Sequence, residues 1–395
     1  MEVMLTSNKM VINRLRTEFP TKDISCSLFP LCSGCKLQKN VRFPPIWKEV
    51  VNFFTAKNIT AELISKEITE YRSKVKLAVR GSFLLPQIGL FREGTHEIVD
   101  MPFCPLHYPV IDEACALIRK KITEHKIEPY AENTRKGRLK YIQMLVNRKT
   151  NKIQVSFIFN DNLLNKNEIK FLEDLYLNSI FFHSVWVNLF PGSSNTILGD
   201  NWKLFHGEEY FEQELLGMSF YFHPSCFSQA HLSVFEDMLE YLDFLVPINA
   251  SVLELYAGVG CIGLYMAQKS SKVVFVESSP CAEKCFKKTT SKLLSEISQK
   301  CTFFSSSVED MIFPTEKIDV LIVDPPRKGL SKKCKEKISS LQPTQLIYVS
   351  CGPNSFIRDC NELLENGWVL NKARGFLLFP GTDHAEIISS FIRSL

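Results

Sequence analysis

The sequence predicts an α/β fold with two parts, an α+β region followed by a C-terminal domain built on a parallel sheet. Three observations support this prediction. The chain has 395 residues, which is too long for one ordinary core. Strand-like segments separated by turn residues dominate the chain before residue 231. After residue 231, the short apolar runs at 273–276, 320–323 and 346–349 have the uninterrupted hydrophobic character of strands buried on both faces.

Composition narrows the class of protein. With 45% hydrophobic and 23% charged residues the chain is globular, and its formal net charge of +4 permits a polyanionic partner without requiring one. The N-terminus lacks the pattern of a signal peptide, and no apolar run of about eighteen residues occurs, so we expect no membrane partner. Thirteen cysteines without such a peptide indicate the reducing cytoplasm. Nothing in the sequence requires more than a monomer.

The first 25 residues are polar and form a predicted N-terminal extension. They are followed by three closely spaced cysteines, Cys26, Cys32 and Cys35, and by a distant fourth, Cys104. Four thiols of this kind suit a tetrahedral sulfur site for zinc or for an iron-sulfur cluster. A triplet with a remote single cysteine favours the cluster, whereas zinc sites usually use two close pairs. The remaining alternative is four free cysteines.

The region 26–230 is predicted to be an α+β domain with basic loops. We expect helices at 44–56 and 108–126, β-hairpins within 70–100, and strands at 141–147 and 153–159. Basic side chains on these strands could follow a phosphate backbone, although solvated surface lysines are an equally simple interpretation. The basic residues form three clusters: Arg72, Lys74, Lys76 and Arg80; Arg135, Lys136, Arg138 and Lys140; Arg148, Lys149 and Lys152.

The domain 231–395 begins with a predicted helix at 232–246 and a strand that ends in a glycine-rich turn. Gly258, Gly260 and Gly263 at a strand-to-helix turn allow a ligand to approach the backbone, as in Rossmann-like domains. Glu277, about twenty residues further on, can accept hydrogen bonds from the ribose hydroxyls of a nucleoside cofactor. The acid Glu254 before the turn favours S-adenosylmethionine, a sulfonium cation, over a dinucleotide.

Two later strands each end in a reactive group. Asp324 follows the strand 320–323 in V-D-P-P-R, and Cys351 follows the strand 346–349 in Y-V-S-C-G-P. Ligands and chemistry in open α/β sheets lie at the carboxyl ends of the strands. The sequence therefore predicts a carboxylate and a thiol in one crevice.

These motifs together resemble the RNA 5-methyluridine methyltransferases. The resemblance rests on L-E-L-Y-A-G-V-G, D-P-P-R, S-C-G-P, the upstream Y-F-H-P-S-C-F-S-Q and the terminal F-P-G-T-D-H-A-E, and it covers 26–395. The four cysteines are similar to the 4Fe-4S site of the ribosomal RNA branch of that family. Only 25 residues precede them, so members without an N-terminal TRAM domain are the better match.

The resemblance implies an S-adenosylmethionine-dependent transfer of a methyl group to C5 of a uridine in RNA. It implies Cys351 as the nucleophile that adds to C6 of the base and Glu386 as the general base. The cofactor-binding set that it implies is Gln229, Tyr256, Glu277 and Asp324. We expect ribosomal RNA as the substrate. The alternatives are a tRNA substrate or a non-catalytic RNA-binding or assembly protein on the same fold.

The chain departs from the family pattern at four positions. Gly352 stands where members commonly have asparagine after the nucleophile, His231 replaces an amide, Leu377 replaces an acid, and Glu254 replaces the leading aspartate of the glycine loop. These departures leave the nucleophile, the base and the cofactor acids in place, and they bear on substrate choice. Arg327 after D-P-P distinguishes the chain from cytosine-5 RNA methyltransferases, which resemble this arrangement but carry a cysteine there.

Overall fold

The structure is a computed structural model that describes residues 23–192, 196–313 and 316–393. Residues 1–22 of the predicted N-terminal extension lie outside the described residues. Two sheets organise the described part of the chain. In chain order, its first elements are α1 (Pro45–Thr55), β1 (Leu63–Ile64), β2 (Lys74–Gly81), β3 (Pro86–Phe91), β4 (Ile98–Asp100), α2 (Pro109–Glu124), β5 (Leu139–Val146), β6 (Ile153–Phe159), α3 (Lys166–Leu177), β7 (Phe182–Leu189), β8 (Trp202–Gly207), β9 (Phe211–Leu215) and β10 (Met218–Phe222).

The first sheet has seven strands in the order β4-β3-β2-β5-β6-β7-β8. Its neighbours are antiparallel except β6 and β7, which run parallel because α3 connects them. Alternate residues of its strands form an apolar core with α2 and α3, and the opposite face carries polar side chains of β2 and β5. The helices and strands predicted between 44 and 159 are confirmed, with ends that differ by at most three residues.

The rest of the chain builds the second sheet. Its elements are α4 (Leu232–Leu245), β11 (Ser251–Leu255), α5 (Cys261–Met266), β12 (Lys272–Glu277), α6 (Pro280–Thr290), α7 (Ser295–Ser298), β13 (Cys301–Ser305), β14 (Val320–Val323), α8 (Lys332–Leu341), β15 (Gln345–Ser350), α9 (Pro353–Glu365), β16 (Trp368–Phe376) and β17 (Glu386–Arg393). The strand order is β1-β16-β17-β15-β14-β11-β12-β13. The predicted α/β fold with a Rossmann-like parallel sheet is confirmed.

The strand β11 marks the point where the chain changes direction across this sheet. It pairs in parallel with β12 on one side and with β14 on the other, and β14 pairs in parallel with β15. The carboxyl ends of these four strands therefore meet at one edge, which we call the carboxyl edge, on both sides of a topological switch point. Tyr256, Asp324 and Cys351 directly follow β11, β14 and β15, and Glu277 is the last residue of β12.

The last strand, β17, runs against its neighbours. It pairs antiparallel with β15, and Ile387 lies opposite Ser350. Because an antiparallel strand begins where its neighbour ends, the first residue of β17, Glu386, starts at the carboxyl edge. The backbone register thus brings Glu386 next to Cys351, 35 positions earlier in the sequence.

The segment 45–64 crosses from the N-terminal region to the second sheet. The short strand β1 pairs in parallel with β16, where Leu63 lies opposite Gly375. The Trp47 ring packs on the same strand, since a Cβ added to Gly375 would lie 2.3 Å from it. The sequence places this segment in the α+β region 26–230, whereas its strand partners and core contacts belong to the second sheet.

In the described part of the chain, no helix combines the length and apolar character needed to cross a membrane.

Replacing Trp47 with alanine should destabilise the second sheet. Trp47 is buried in the core beneath that sheet, so its removal leaves a cavity, and we expect a loss of about 3 to 5 kcal/mol in the free energy of unfolding. Urea unfolding measures it. Phe43→Ala is the control, because Phe43 is exposed and its loss should change stability by less than about 0.5 kcal/mol. A loss below about 1 kcal/mol for Trp47→Ala would show that α1 is not part of this core.

Candidate active site

The glycine-rich turn after β11 forms the floor of a narrow cavity. Gly258 and Gly260 adopt positive φ angles of 55° and 84°, a conformation that glycine adopts without strain. Tyr256 has a φ of 63°, which is strained for a residue with a Cβ and directs the chain sharply away from the strand. Strain of this kind is typical of ligand-binding turns.

Three of the predicted cofactor residues meet at this cavity, which we call the cofactor cavity. Gln229, Tyr256 and Asp324 line it together with Gly258. Its volume is about 80 Å³, below the roughly 300 to 1,000 Å³ of typical small-molecule sites. A larger cavity of about 470 Å³ shares Gln229 and its two preceding residues as a wall. The segment 227–229 therefore separates the two spaces.

The fourth predicted cofactor residue, Glu277, has a different position. Its carboxylate accepts hydrogen bonds from the backbone N–H of Gly258, at 3.0 Å, and from that of Ser279, at 2.9 Å. Glu277 is not among the described residues that line the cofactor cavity. It stabilises the glycine turn by hydrogen bonding from the end of the neighbouring strand β12.

The buried acid Glu254 also lines the cofactor cavity, although the cofactor-binding set implied by the family resemblance does not include it. Its Oε2 accepts a hydrogen bond of 2.8 Å from the N–H of Gly263, and burial raises the pKa of the carboxyl to about 8. A Cβ at Gly263 would lie 2.4 Å from that oxygen, so only glycine fits there. The acid within E-L-Y-A-G-V-G was the available signal.

Cys351 lies beside Glu386 and Asp324 at the carboxyl edge. Burial, followed by the charges of Glu386 and Asp324, raises the pKa of the Cys351 thiol to about 11, against the opposing effect of the Arg327 guanidinium. A guanidinium close to a thiol favours the thiolate, which makes Arg327 a source of such a field. Its effect has that direction, but burial and the two carboxyls outweigh it, so the thiol is protonated at neutral pH in the ligand-free protein.

The two carboxyls of this group are themselves perturbed. Burial, followed by the charge of Asp324, raises the pKa of Glu386 to about 8, against the opposing effect of Arg327. Burial raises the pKa of Asp324 to about 7. Acidic side chains in a water-poor crevice favour the binding of a cation, because a positive charge relieves the cost of ionising them.

The two loops of the carboxyl edge are bonded to each other. Ser355 at the start of α9 donates its hydroxyl hydrogen to the carbonyl of Arg327 at 2.9 Å. A Cβ at Gly352 would lie 2.7 Å from the Ser355 Oγ and 3.0 Å from the Arg327 oxygen. The departure from the family pattern at Gly352 thus accompanies a close approach of the D-P-P-R and S-C-G-P loops. It leaves no room for a larger side chain.

His231, a second departure from the family pattern, is buried and packs against neighbouring side chains. Its ring stacks on Tyr71 with centroids 4.3 Å apart, and its Nε2 lies 3.0 Å from the carbonyl of Glu67. Burial lowers the pKa of His231 to about 4. A neutral, stacked imidazole fixes the end of the segment 223–230 against the residues that precede β2.

The four cysteines selected from the sequence lie together. Cys26, Cys32, Cys35 and Cys104 line the 470 Å³ cavity, and the Arg72 guanidinium favours the thiolate form of Cys32, Cys35 and Cys104. Burial, followed by the charge of Cys104, raises the pKa of Cys35 to about 12. Thiols that oppose one another's ionisation beside a buried cation are chemically suited to a bound metal or cluster, which would remove their protons.

The fourth cysteine has partners of its own. Cys104 is hydrogen-bonded to His107, whose Nδ1 lies 2.8 Å from the carboxylate of Asp112. Asp112 also accepts a 3.1 Å hydrogen bond from the Cys104 backbone N–H. Such outer partners orient a sulfur ligand and tune its basicity.

A separate group with metal-ligand chemistry is already neutralised. The ligand atoms of Glu124, His125 and Asp174 lie within 4.8 Å of one another. The Lys121 ammonium lies 2.8 Å from both carboxylates and supplies their positive charge. No ion is needed there, and we assign the group a structural role.

The three basic clusters of the sequence make different contacts in the structure. Arg138 pairs with Asp161 and Glu168, and Arg148 pairs with Glu236. In the second and third clusters these acidic partners, rather than a phosphate backbone, account for Arg138 and Arg148. In the first cluster, Arg80 pairs with Glu132. The residues of that cluster that line the 470 Å³ cavity are Arg72, Lys74 and Lys76.

Glu386→Gln should change how stability depends on pH. The unfolded chain releases the Glu386 proton near pH 4.5 and the folded protein near pH 8, so the folded state binds more protons between these values. The contribution of the neutral carboxyl is present below about pH 4.5 and is lost as the pH rises through about 8. Relative to wild type, the variant should gain at least ~1.4 kcal/mol, the equivalent of one pKa unit, between pH 5 and 8.

Urea unfolding of ligand-free protein at pH 5, 6.5 and 8 measures this gain. Glu240→Gln, which alters an exposed carboxylate, is the control. A difference between wild type and Glu386→Gln that does not change with pH would contradict the assigned environment of Glu386.

Comparisons with known proteins identify the family of this chain. The profile of the family described as tRNA (uracil-5-)-methyltransferase matches residues 150–392. An uncharacterized RNA methyltransferase of Protochlamydia amoebophila is 39% identical over 376 residues, which cover 94% of this chain and 98% of the relative. A second uncharacterized RNA methyltransferase, from Geobacter sulfurreducens, is 26% identical. The aligned residues cover 94% of this chain and 77% of that relative.

A solved structure has a similar fold over most of the chain. The Pyrococcus abyssi tRNA (uracil-54, C5)-methyltransferase in complex with S-adenosyl-L-homocysteine superposes with a TM-score of 0.75 at 24% identity, over 92% of this chain and 86% of that one. At this identity the likeness establishes the fold. The profile match and the relatives establish more: the chain belongs to the tRNA (uracil-5-)-methyltransferase family and is an S-adenosylmethionine-dependent RNA methyltransferase.

Proposed function

We propose that the protein methylates C5 of a uridine in RNA through a transient covalent bond between Cys351 and C6 of the base. The observation that carries this proposal is the position of Cys351 and Glu386, which lie beside each other at the carboxyl edge, with Asp324 reaching from them to the cofactor cavity. A nucleophile, a base and a cofactor site within one crevice are the parts that this reaction needs.

The mechanism follows from the poor nucleophilicity of uracil C5. The Cys351 thiolate adds to C6, and the electron pair of the C5–C6 double bond moves into the ring as an enolate. When bound, S-adenosylmethionine would supply an electrophilic methyl group, which C5 attacks as the sulfur–methyl bond breaks and S-adenosylhomocysteine is released. Glu386 as carboxylate then removes the C5 proton, the double bond re-forms and the thiolate leaves.

The raised pKa values of Cys351 and Glu386 oppose the start of this cycle in the ligand-free protein. At neutral pH both groups are mostly protonated in the ligand-free crevice, and both must lose a proton before the methylated base is released. The positive charge of a bound cofactor favours these ionisations. We assign cofactor binding to Gln229, Tyr256, Glu277 and Asp324, with Glu277 acting through the turn that it holds.

We propose ribosomal RNA as the substrate class, because the cysteine spacing resembles the ribosomal RNA branch of the family. A tRNA substrate is the second candidate, supported by the family description. Sequencing 5-methyluridine sites in ribosomal RNA and tRNA from cells with and without the gene separates the two. A site that disappears from tRNA alone would overturn the first assignment.

For the four cysteines we propose a 4Fe-4S cluster, with zinc as the alternative. In the part of the chain that the structure describes, no three of the four sulfurs lie within 4.8 Å of one another. A tetrahedral zinc site with bonds of about 2.3 Å would hold its sulfurs roughly 3.8 Å apart, whereas a four-iron cluster separates them more widely. Cys26, Cys32, Cys35 and Cys104 would ligate the cluster, whose role we take to be structural.

We further propose a two-part organisation, an iron-sulfur and RNA-binding region at 26–230 and a catalytic domain at 231–395, in a cytoplasmic monomer. A non-catalytic RNA-binding or assembly role on the same fold is less well supported, since Cys351 and Glu386 are both retained. Incubation with radiolabelled S-adenosylmethionine and total RNA separates these roles. Binding without label in 5-methyluridine would favour the non-catalytic one.

Cys351 should form a stable adduct with RNA that contains 5-fluorouridine. Fluorine at C5 cannot leave as a proton, so the cycle stops at the methylated covalent intermediate, which migrates as a shifted band in a denaturing gel. Cys351→Ser should give no such band. Cys281→Ser is the matched control, because Cys281 is also partly exposed but lies on α6.

Glu386→Gln provides a contrasting variant. With ordinary uridine it should accumulate the adduct while turnover falls about 10² to 10⁴-fold, the usual contribution of a positioned base. An adduct formed equally well by Cys351→Ser would refute the assignment of the nucleophile.

Purified under anaerobic conditions, the wild-type protein should contain about four irons per chain and absorb visible light. Cys32→Ser should lose both, and its melting temperature should fall because the cysteine loop is bonded to the segment before Glu386. Cys301→Ser, a partly exposed cysteine elsewhere, is the control. One zinc per colourless chain would favour the alternative, and protein with neither metal would refute the site.

A further inference from the structure

Phe103 is a large apolar side chain that the fold leaves in water. It is 65% exposed and lines the 470 Å³ cavity, directly before Cys104 in the sequence. Scattered exposed apolar residues are normal, but an exposed aromatic ring on the wall of a cavity is suited to contact a ligand.

The backbone around Phe103 is held firmly. The Met101 N–H donates to Ile88 at 2.9 Å, and the Cys104 N–H donates to Asp112 at 3.1 Å. On the far side, the carbonyl of Leu106 accepts a 2.8 Å bond from the Arg72 N–H. The ring is therefore presented by an anchored segment, so little conformational entropy is lost when a ligand stacks on it.

The cavity carries basic side chains that could meet a phosphate. Lys74 and Lys76 project from β2 into it, and neither forms an ion pair with any described residue, although the Lys74 ammonium donates to the carbonyl of Cys226 at 2.9 Å. Burial lowers the pKa of Lys74 to about 7 and also lowers that of Lys76, and the negative charge of a bound phosphate favours the protonated form of both. A second exposed ring, Phe227 at 69%, lines the same cavity. Aromatic faces beside unpaired cations are the combination that binds single-stranded nucleic acid.

The cavity adjoins the cofactor cavity but is a separate space. The segment 227–229 forms a wall of both. Cys351 and Glu386 are not among the described residues that line the larger cavity. A base bound there would not be the one that reacts, but it would be close to it along the strand.

We propose that Phe103 is a stacking platform for a nucleobase that flanks the target uridine in single-stranded RNA, with Lys74 and Lys76 contacting the adjoining phosphates. This inference rests on the proposed RNA uridine methylation. It also gives the neighbouring cysteine site a function in RNA recognition. Because Phe103 directly precedes Cys104, a group bound to Cys104 would also fix the position of the Phe103 ring.

The test uses the full chain and single-stranded RNA 12-mers that contain one 5-fluorouridine with 2-aminopurine on its 5′ or its 3′ side. In wild type we expect quenching of 2-aminopurine at one of the two positions, since stacking on an aromatic ring quenches its fluorescence. Phe103→Ala should abolish that quenching and raise the Kd about 5- to 150-fold, the range for loss of one stacked base. Phe103→Trp should restore both.

Phe43→Ala is the matched control. Phe43 is also 65% exposed but does not line the cavity, so its loss should leave Kd and quenching unchanged. Iron content and melting temperature, measured for every variant, show whether Phe103→Ala has disturbed Cys104. Lys76→Ala should reduce the slope of log Kd against log salt by about one, as expected for one phosphate contact.

The outcomes distinguish the inference from the proposal beneath it. If the covalent adduct forms in wild type but Phe103→Ala binds and quenches like wild type, the platform is wrong and the methylation mechanism stands. If no adduct forms, the Kd of Phe103→Ala still decides the platform. An unchanged Kd overturns it and would leave the exposed ring as a contact for another protein.

Discussion

The ionisable groups buried at the carboxyl edge are the constraint around which the site is arranged. Asp324, Glu386 and the Cys351 thiol share a crevice in which Arg327 is the opposing cation. Burial raises the pKa of all three groups and keeps protons on the two carboxyls, which would be ionised in water at neutral pH. That arrangement destabilises the ligand-free protein at higher pH. The same acidic side chains favour a bound sulfonium ion, because its positive charge stabilises their ionised forms. Part of the free energy lost by burying the acids is thereby recovered when the cofactor binds.

The N-terminal segment stabilises this edge from outside the second sheet. The Lys36 and Leu37 N–H groups donate to the carbonyl of Gly381 at 2.7 and 2.9 Å. The Asp383 carboxylate accepts a 2.8 Å bond from the Ile46 N–H. Gly381 and Asp383 lie just before Glu386, so the loop that follows the last cysteine of the triplet is attached to the segment that positions the proposed base. A cluster without a redox role can therefore serve catalysis by holding that loop.

The segment 223–230 connects the two sheets. Gln143 on β5 donates its side-chain N–H to the carbonyl of Pro224 at 2.7 Å, and the Ser73 N–H donates to that of Ala230 at 2.9 Å. The segment is thus held by the first sheet while its residues 227–229 form the wall between the cofactor cavity and the larger one. Movement of this wall would change both spaces together, and it would couple the proposed recognition of RNA to the binding of the cofactor.

By itself the sequence determined the local structure and much of the site. Apolar runs identified the parallel strands, the glycines identified the turn, and the residues after β14 and β15 placed Asp324 and Cys351 at one edge, because side-chain periodicity and turn chemistry are properties of neighbouring residues. Only the tertiary structure decided the antiparallel entry of β17 that positions Glu386 and the transfer of the segment 45–64 to the second sheet. It also decided which basic residues are paired internally and the raised pKa of the Cys351 thiol. These features depend on hydrogen-bond register, burial and charged neighbours far apart in the chain, which no local pattern encodes.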